Sequence, residues 1–576
     1  MPLSPDRKRQ LTTVALVAPA GLWLFVFLVL PFMAMVVFAF GERAPEGGYQ
    51  AAFTFAQFTN LPSRAAAFWN TMMIAPAGAF LCLIVAYPVA YYLAIKSDPK
   101  YRLALVSLVI VPFWTSLLVR TYAWMYILGS RGIPNLLGMI GIEDVRLLNT
   151  SGAVLLGIVY GYLPLMIMPI YVSLEKLDRR LLEASADLGA KPVSTFFGVT
   201  LPLSLPGVMT GVALVTILLL GEYLIPQLLG GGKVFFIGNA LVDLFLQSRN
   251  WPFGSAIAVT LVVVVVIGRG RLRSGAGHRA RRRHAHRLEG LRLQTGGSRL
   301  MRALVTFVYL FLYAPIALVV LFSFNAGRNA SEFTGFSTMW YGKALGNTFL
   351  ITALQNSLMI AFTSAVLASV FGTMAALGMQ RLSNRGRTIF DGLFAAALVV
   401  PGVVIGIATL VALVEVFSFL NPALASIWPG DKPPQLGLGY GSIIAAHGLF
   451  SLALVTMIVK ARIASLGRDI VEASSDLYAT PFTTFRQIVL PQILPSVLAG
   501  FLLAFTFSFD DFIVAFFVAG SKTTLPIYVF ASIRRGVTPE INAIATMVLV
   551  ASLLLILIAR MLMGNKTTKV QTGGRQ

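Results

Sequence analysis

The sequence predicts an all-α integral membrane protein with twelve transmembrane helices arranged as two parallel six-helix repeats. Three observations lead there. Hydrophobic residues make up 57% of the 576 and charged residues only 12%, whereas a soluble domain carries about 25% charged residues. Apolar runs of about 20 residues recur along the whole chain, each enough to cross a hydrocarbon core about 30 Å thick. A polar, small-residue segment at 183–202 returns at 472–491, 289 residues later, with the same internal spacing, which is the mark of an internal duplication. Transmembrane β-strands would be about 9–11 residues long and alternate in polarity, and these runs do neither.

In the first half the spans are expected near 14–40, 70–95, 103–128, 151–174, 205–229 and 253–268. In the second they are expected near 303–324, 350–378, 391–419, 440–460, 496–519 and 541–563. The first span follows Arg7-Lys8-Arg9 as a signal peptide would, but its apolar stretch exceeds the roughly 7–15 residues of such a segment, so a retained helix is expected. Arg7, Lys8 and Arg9, then Lys96, Lys100 and Arg102, then Lys176, Arg179 and Arg180 fall in alternate loops. So do Arg381, Arg385 and Arg387, and then Lys460, Arg462 and Arg468. The positive-inside rule places these loops and both termini in the cytoplasm. The two halves then share one orientation, as parallel repeats about an axis along the membrane normal do.

Net charge is +22. In a chain this apolar, that charge is read as basic loops facing anionic membrane lipid, not as a nucleic-acid surface. The single cysteine, Cys82, leaves no intrachain disulfide and no thiolate metal site to expect.

The organisation divides into a first six-helix repeat at 1–268, a basic linker at 269–300 and a second six-helix repeat at 301–576. The sixth span is short and turns abruptly into Arg269-Gly270-Arg271. Segment 269–300 holds ten arginines, no lysine and one acid, Glu289. Three readings of it stand: a basic cytoplasmic linker on lipid, a histidine metal site at His278, His284 and His286, or out-of-frame translation joining two neighbouring reading frames.

The repeated islands read Glu183-Ala184-Ser185-Ala186-Asp187-Leu188-Gly189 and Glu472-Ala473-Ser474-Ser475-Asp476-Leu477-Tyr478, and run on to Leu201-Pro202 and Leu490-Pro491. Leu181, Ala184 and Leu188 share one helical face, as do Ile470, Ala473 and Leu477. Pro192 and Pro481 suit the first turn of a second short helix, and Gly189 between the two helices permits a left-handed turn. A bland alternative is an amphipathic loop helix resting on its own protein. Two copies in one chain favour two equivalent docking surfaces.

These islands resemble the Glu-Ala-Ala-x-x-x-Gly loop, followed at fixed distance by Leu-Pro, of the membrane subunits of bacterial type I ABC importers. The resemblance covers nearly the whole chain outside 269–300. Serine stands at the family's second alanine in both copies (Ser185, Ser474), and Tyr478 replaces the turn glycine in the second. Pro112-Phe113-Trp114-Thr115-Ser116, Arg120-Thr121-Tyr122-Ala123-Trp124 and Gly221-Glu222-Tyr223-Leu224-Ile225-Pro226 look like the first permease of spermidine/putrescine importers. Phe509-Asp510-Asp511-Phe512, Leu525-Pro526 and Pro539-Glu540-Ile541-Asn542-Ala543 are similar to the second. The resemblance implies both permeases fused in one chain.

The resemblance implies a type I importer permease fold, with Glu183, Ala184, Asp187, Gly189, Glu472, Ala473, Asp476 and Tyr478 docking two ATP-hydrolysing subunits. It also implies a solute-binding protein outside and a polyamine as cargo, with no cofactor. The expected pathway residues are Glu222, Asp511, Asp510, Trp114, Tyr223 and Arg120. Glu222 and Asp511 are 289 apart, and intramembrane acids usually face an interior or a watery cavity. The alternative is a static pair with Arg120. Trp114, Tyr122, Trp124, Tyr160, Tyr162 and Tyr223 offer rings for cation–π contact or for ordinary packing. Glu415 sits near a span's outer end, within reach of water.

Gly230-Gly231-Gly232-Lys233 runs on to Val234 and lacks the spacing of a phosphate-binding loop. His447 is expected to be packed or hydrogen-bonded, and no nucleophile–base pair suggests an enzyme. ATP hydrolysis would then belong to a separate chain. Rival readings are the same machine with another cargo, such as ferric iron, and an ion-coupled secondary transporter in which the acids bind protons or sodium.

Overall fold

The computed structural model describes residues 5–279, 297–328, 333–430, 432–535 and 538–567. All twelve expected spans coincide with helices. Among the described residues nine are long and apolar enough to cross a membrane: Gln10–Ala39, Leu61–Lys96, Ser151–Glu175, Pro192–Leu220, Arg299–Ser323, Thr348–Met379, Gly402–Ile427, Tyr440–Ala464 and Pro481–Asp510. The third span is a tenth only if its two pieces, Pro99–Phe113 and Leu117–Met139, count as one across a bend of 85°. The sixth and twelfth contribute the shorter apolar stretches Trp251–Val266 and Pro539–Leu554.

Four expected spans are interrupted. The third breaks at Thr115 and Ser116, whose extended backbones follow the turn Val111–Trp114. The ninth, expected unbroken at 391–419, is two helices, Asn384–Val399 and Gly402–Ile427. Val400 between them is extended, the conformation that a following proline imposes. The fifth and eleventh end at Leu220 and Asp510, and short helices Leu224–Leu229 and Ile513–Val518 follow. Apolar composition runs straight through these breaks, so hydropathy alone missed them.

The helix that opens at Trp251 continues past the expected seam to Arg279, and the next begins at Gly297. Residues 280–296, with His284 and His286 and most of the expected linker, lie outside the described residues.

Each half lends its first span to the other. Trp23 Nε1 in the first span donates to Ala445 O in the tenth at 3.2 Å. A Cβ on Gly448 would lie 2.7 Å from the Trp23 ring, and one on Gly378 would lie 2.5 Å from Val17. Reciprocally, in the seventh span Tyr309 Oη donates to Leu105 O at 2.7 Å and Tyr313 Oη to Leu108 O at 2.9 Å, both in the third span. Small residues allow the close approach of helices on which packing within lipid depends.

Because the Trp23 ring leaves no room for a side chain, Gly448→Val should overpack the exchanged contact and cost about 1–3 kcal/mol. A lowered midpoint of thermal unfolding in detergent would register this. Gly441→Ala on the same helix, with nothing within 4 Å, should leave the midpoint unchanged.

Candidate functional site

Breaking a helix inside a membrane strands the first backbone N–H groups of the next piece, and carboxylates meet that demand here. Glu222 follows the fifth span. Its Oε1 accepts from Leu224 N at 2.8 Å and Ile225 N at 3.1 Å, and Oε2 accepts from the Tyr162 hydroxyl. Asp511 is its counterpart: Oδ1 accepts from Val514 N at 3.2 Å, and Oδ2 lies 3.3 Å from His447 Nε2. His447 Nδ1 in turn shares a 2.8 Å hydrogen bond with Ser508 Oγ. Asp510 works across the halves. Its Oδ2 accepts from Leu117 N at 3.0 Å, capping the outer piece of the third span, while its buried Oδ1 hydrogen-bonds nothing among the described residues.

The reverse contact is made by Gly221, the residue equivalent to Asp510. A Cβ there would fall 2.3 Å from Pro401 Cβ, at the break in the ninth span. The end of each half's fifth helix therefore abuts the interrupted third helix of the other half. Tyr223 and Phe512, the residues after the paired acids, stack across this junction with ring centroids 6.3 Å apart and planes inclined at 18°. Phe530 closes the cluster, 4.6 Å from Phe512 and 6.2 Å from Tyr223. All three rings are buried. Side chains from equivalent places in the two halves thus meet at this junction, on the pseudo-two-fold axis that relates them.

The islands form the expected pairs of short helices: Arg179–Asp187 with Pro192–Thr195, and Arg468–Asp476 with Pro481–Thr484. Glu183, Ala184, Asp187 and Gly189 are exposed, as are Glu472, Ala473, Asp476 and Tyr478. The apolar face is uncovered too, with Leu188 and Leu477 each more than four-fifths exposed. Tyr478 keeps the turn: its φ of 59° matches the 77° of Gly189, although a left-handed conformation costs a residue with a Cβ about 1–2 kcal/mol. Serine at the family's second alanine also has a use. Ser185 Oγ bonds Thr195 Oγ1 at 2.9 Å and Ser474 Oγ bonds Thr484 Oγ1 at 2.8 Å, tying the paired helices together in both copies. From each second short helix the backbone continues through a π-turn into the fifth or eleventh span, as one run from Pro192 to Leu220 and from Pro481 to Asp510.

Two stretches of the chain, residues 86–269 and 368–570, match the family described as binding-protein-dependent transport system inner membrane component. The chain belongs to that family. The permease is therefore an inner-membrane protein that holds two family units in one polypeptide. It is similar to the spermidine/putrescine transport system permease protein PotB of Haemophilus influenzae, 41% identical over 44% of this chain and 89% of the relative. It is also similar to the putrescine transport system permease protein PotI of Escherichia coli, 41% identical over 42% of this chain and 82% of the relative. Each covers under half of the permease, as one unit of two would. A crystal structure of a bacterial ABC transporter involved in the import of the acidic polysaccharide alginate aligns with a TM-score of 0.38 at 20% identity, over 49% of this chain and 98% of that chain.

Among the expected pathway residues, the permease brings Asp510, Asp511 and Tyr223 together at the axis and turns Glu222 into its own half. Arg120 pairs with neither acid. It is buried, with the Phe113 and Tyr160 rings 5.9 and 5.7 Å from its Cζ, and among the described residues its Nε and Nη1 hydrogen-bond nothing. The side chain of Trp114 lies outside the described residues. Trp124 and Tyr160 pack with Phe311 of the seventh span. Glu415 is exposed.

Sequence reasoning missed the partners. Tyr162 and His447 both come from fourth-position spans, on equivalent helices one turn apart. A second pair of anchors holds the loop beyond each acid. Ile237 N donates to Thr71 Oγ1 at 2.9 Å and Asn70 Nδ2 to Phe235 O at 3.2 Å. In the second half Leu525 N donates to Ser357 Oγ at 2.8 Å and Asn356 Nδ2 to Thr523 O at 2.9 Å. The Asn-Thr and Asn-Ser pairs at matching places in two apolar spans were the signal available.

Glu222→Ala should strand two buried N–H groups and the Tyr162 hydroxyl, costing about 1–3 kcal/mol per lost partner. Glu222→Gln retains an acceptor oxygen for both amides and should cost much less. Thermal unfolding of the two variants in detergent separates a capping acid, for which Gln substitutes, from one whose charge is required.

Proposed function

We propose that this permease is the membrane component of an ATP-driven polyamine importer, taking putrescine or spermidine from a solute-binding protein and relying on a separate pair of subunits for ATP hydrolysis. The observation that carries the reading is the junction at the axis. The Tyr223–Phe512 stack is bordered by two consecutive carboxylates, one with a free acceptor oxygen and one only partly covered. An ammonium group suits that combination. It donates to carboxylate oxygens and is drawn to aromatic faces by about 0.5–2 kcal/mol per ring. An anionic cargo would call for cations at the axis, and Arg120 is set back among rings. The two relatives named for polyamine transport support the same cargo.

Coupling follows from the continuous helices. Each island is the start of a helical run whose far end carries an axial acid and ring, so a push on the island displaces that end as a unit. ATPase subunits that close on ATP would draw the islands together, part the stacked rings and open the axis to the outer side. The energy comes from whatever binds the two states differently. The permease itself contributes no catalytic group in this reading. Asp511 and Asp510 receive the amine, Tyr223 and Phe512 gate it, and Glu222 holds the turn that carries Tyr223.

The test is labelled putrescine uptake in cells lacking their own polyamine importers, supplied with this permease, its ATPase and its binding protein. Uptake should be competed by unlabelled spermidine and not by ferric iron. Asp510→Asn with Asp511→Asn should reduce uptake by about tenfold or more, on the order of one lost charge-assisted contact, at unchanged membrane abundance. Glu222→Gln should reduce it far less. Competition by iron in place of spermidine would overturn the cargo.

A further inference from the structure

The two islands have the same helix bounds, 289 residues apart, but differ in what they present. At the tip of the first stand Leu188, Gly189 and Val193; the equivalent residues of the second are Leu477, Tyr478 and Phe482. Tyr478 is 95% exposed and Phe482 69%, against 53% for Val193. The charge differs as well. Residues 178–191 balance Arg179, Arg180 and Lys191 against Asp178, Glu183 and Asp187, whereas 467–480 set Arg468 against Asp469, Glu472 and Asp476.

Tyr478 is the sharper observation. It holds a left-handed backbone at φ 59° that glycine would adopt without strain, and that equivalent Gly189 does adopt. Among the described residues its ring stacks on nothing and its hydroxyl hydrogen-bonds nothing. The left-handed turn is the cap of the helix, closed by Ala479 N donating to Ser474 O at 3.1 Å, but that cap asks for glycine and not for an exposed aromatic ring, and a costly residue kept there points to a contact elsewhere. Exposed aromatic side chains at the tip of a docking element are the residue type that anchors interfaces.

We infer that the two islands are unequal docking sites and that the second is the tighter, with Tyr478 and Phe482 as aromatic anchors in an apolar pocket of the ATP-hydrolysing subunit whose rim is basic. The inference rests on the proposed ATPase docking and adds which site holds harder and through which side chains. An acidic helix followed by two aromatic anchors, one in its turn and one on the next short helix, selects a basic-rimmed apolar groove, and the charge-balanced first island with its smaller tip requires less of its partner. If the two subunits are identical, one groove accepts both tips and fills fully only on the second. If they differ, the subunit with the deeper pocket takes the second island.

The experiment is a titration of fluorescently labelled cognate ATPase subunit onto the full-length permease in lipid nanodiscs, with the thermal midpoint of each variant measured alongside. Tyr478→Gly with Phe482→Val converts the second tip to the first. It should weaken ATPase binding by about tenfold or more, the usual effect of losing aromatic anchors. The thermal midpoint should hold or rise, because glycine relieves the turn; a loss of binding with a stable fold excludes local unfolding as its cause. Leu188→Ala with Val193→Ala at the first tip should weaken binding only a few-fold, and Tyr478→Phe should stay close to wild type. Equal losses for the two tips, or none for Tyr478→Gly with Phe482→Val, would overturn the inequality. Wild-type permease binding no ATPase at all would overturn the docking reading itself, and the inequality with it.

Discussion

A helix interrupted at membrane depth must find partners for its freed backbone groups within the protein, because hydrocarbon offers none. The permease meets this demand with carboxylates. Glu222 and Asp511 cap the short helices that follow their own spans, and Asp510 caps the outer piece of the third span in the opposite half. Without these caps the chain could not turn back at the pseudo-two-fold axis, and Tyr223 and Phe512 would not meet there. The same acids that suggest a cation pathway are therefore also structural. A residue doing both tasks is costly to change, and the asymmetry between saturated Glu222 and the less satisfied Asp510 and Asp511 divides the labour between the halves.

Exchange of the first spans makes the two halves one body. The first span packs on the eighth and tenth, and the seventh packs on the third, through hydrogen bonds from Trp23, Tyr309 and Tyr313 and close contacts at Gly378 and Gly448. At the axial junction the halves meet through stacked rings, one proline against one glycine, and one carboxylate cap. Long helices running from the exposed islands to that buried junction connect the two. The serine–threonine ties within each island keep the short helices from folding away from the run they begin.

The duplication is most visible where the two copies differ. Glycine and tyrosine share one left-handed turn, Gly221 and Asp510 share one junction, and Tyr162 and His447 approach equivalent acids from equivalent spans. In each case the backbone is held in common and the side chain carries the departure.

Hydropathy and the 289-residue repeat made the class, the number of helical spans, the two family units and the exposed islands legible from the sequence alone. Those features depend on local periodicity and on residue order, which a linear chain carries in full. The breaks at Thr115 and Val400, the exchange of first spans and the partners of each acid were not legible. They depend on which N–H groups are left without an acceptor once helices pack, and on which side chain lies within 3 Å after segments hundreds of residues apart have met. The sequence by itself determined that acids and aromatic rings would lie at equivalent places in two halves. Only the tertiary structure decided that Glu222 would spend its oxygens on its own backbone while Asp510 reached across the axis, because hydrogen-bond saturation is a property of the packed site and not of the residue.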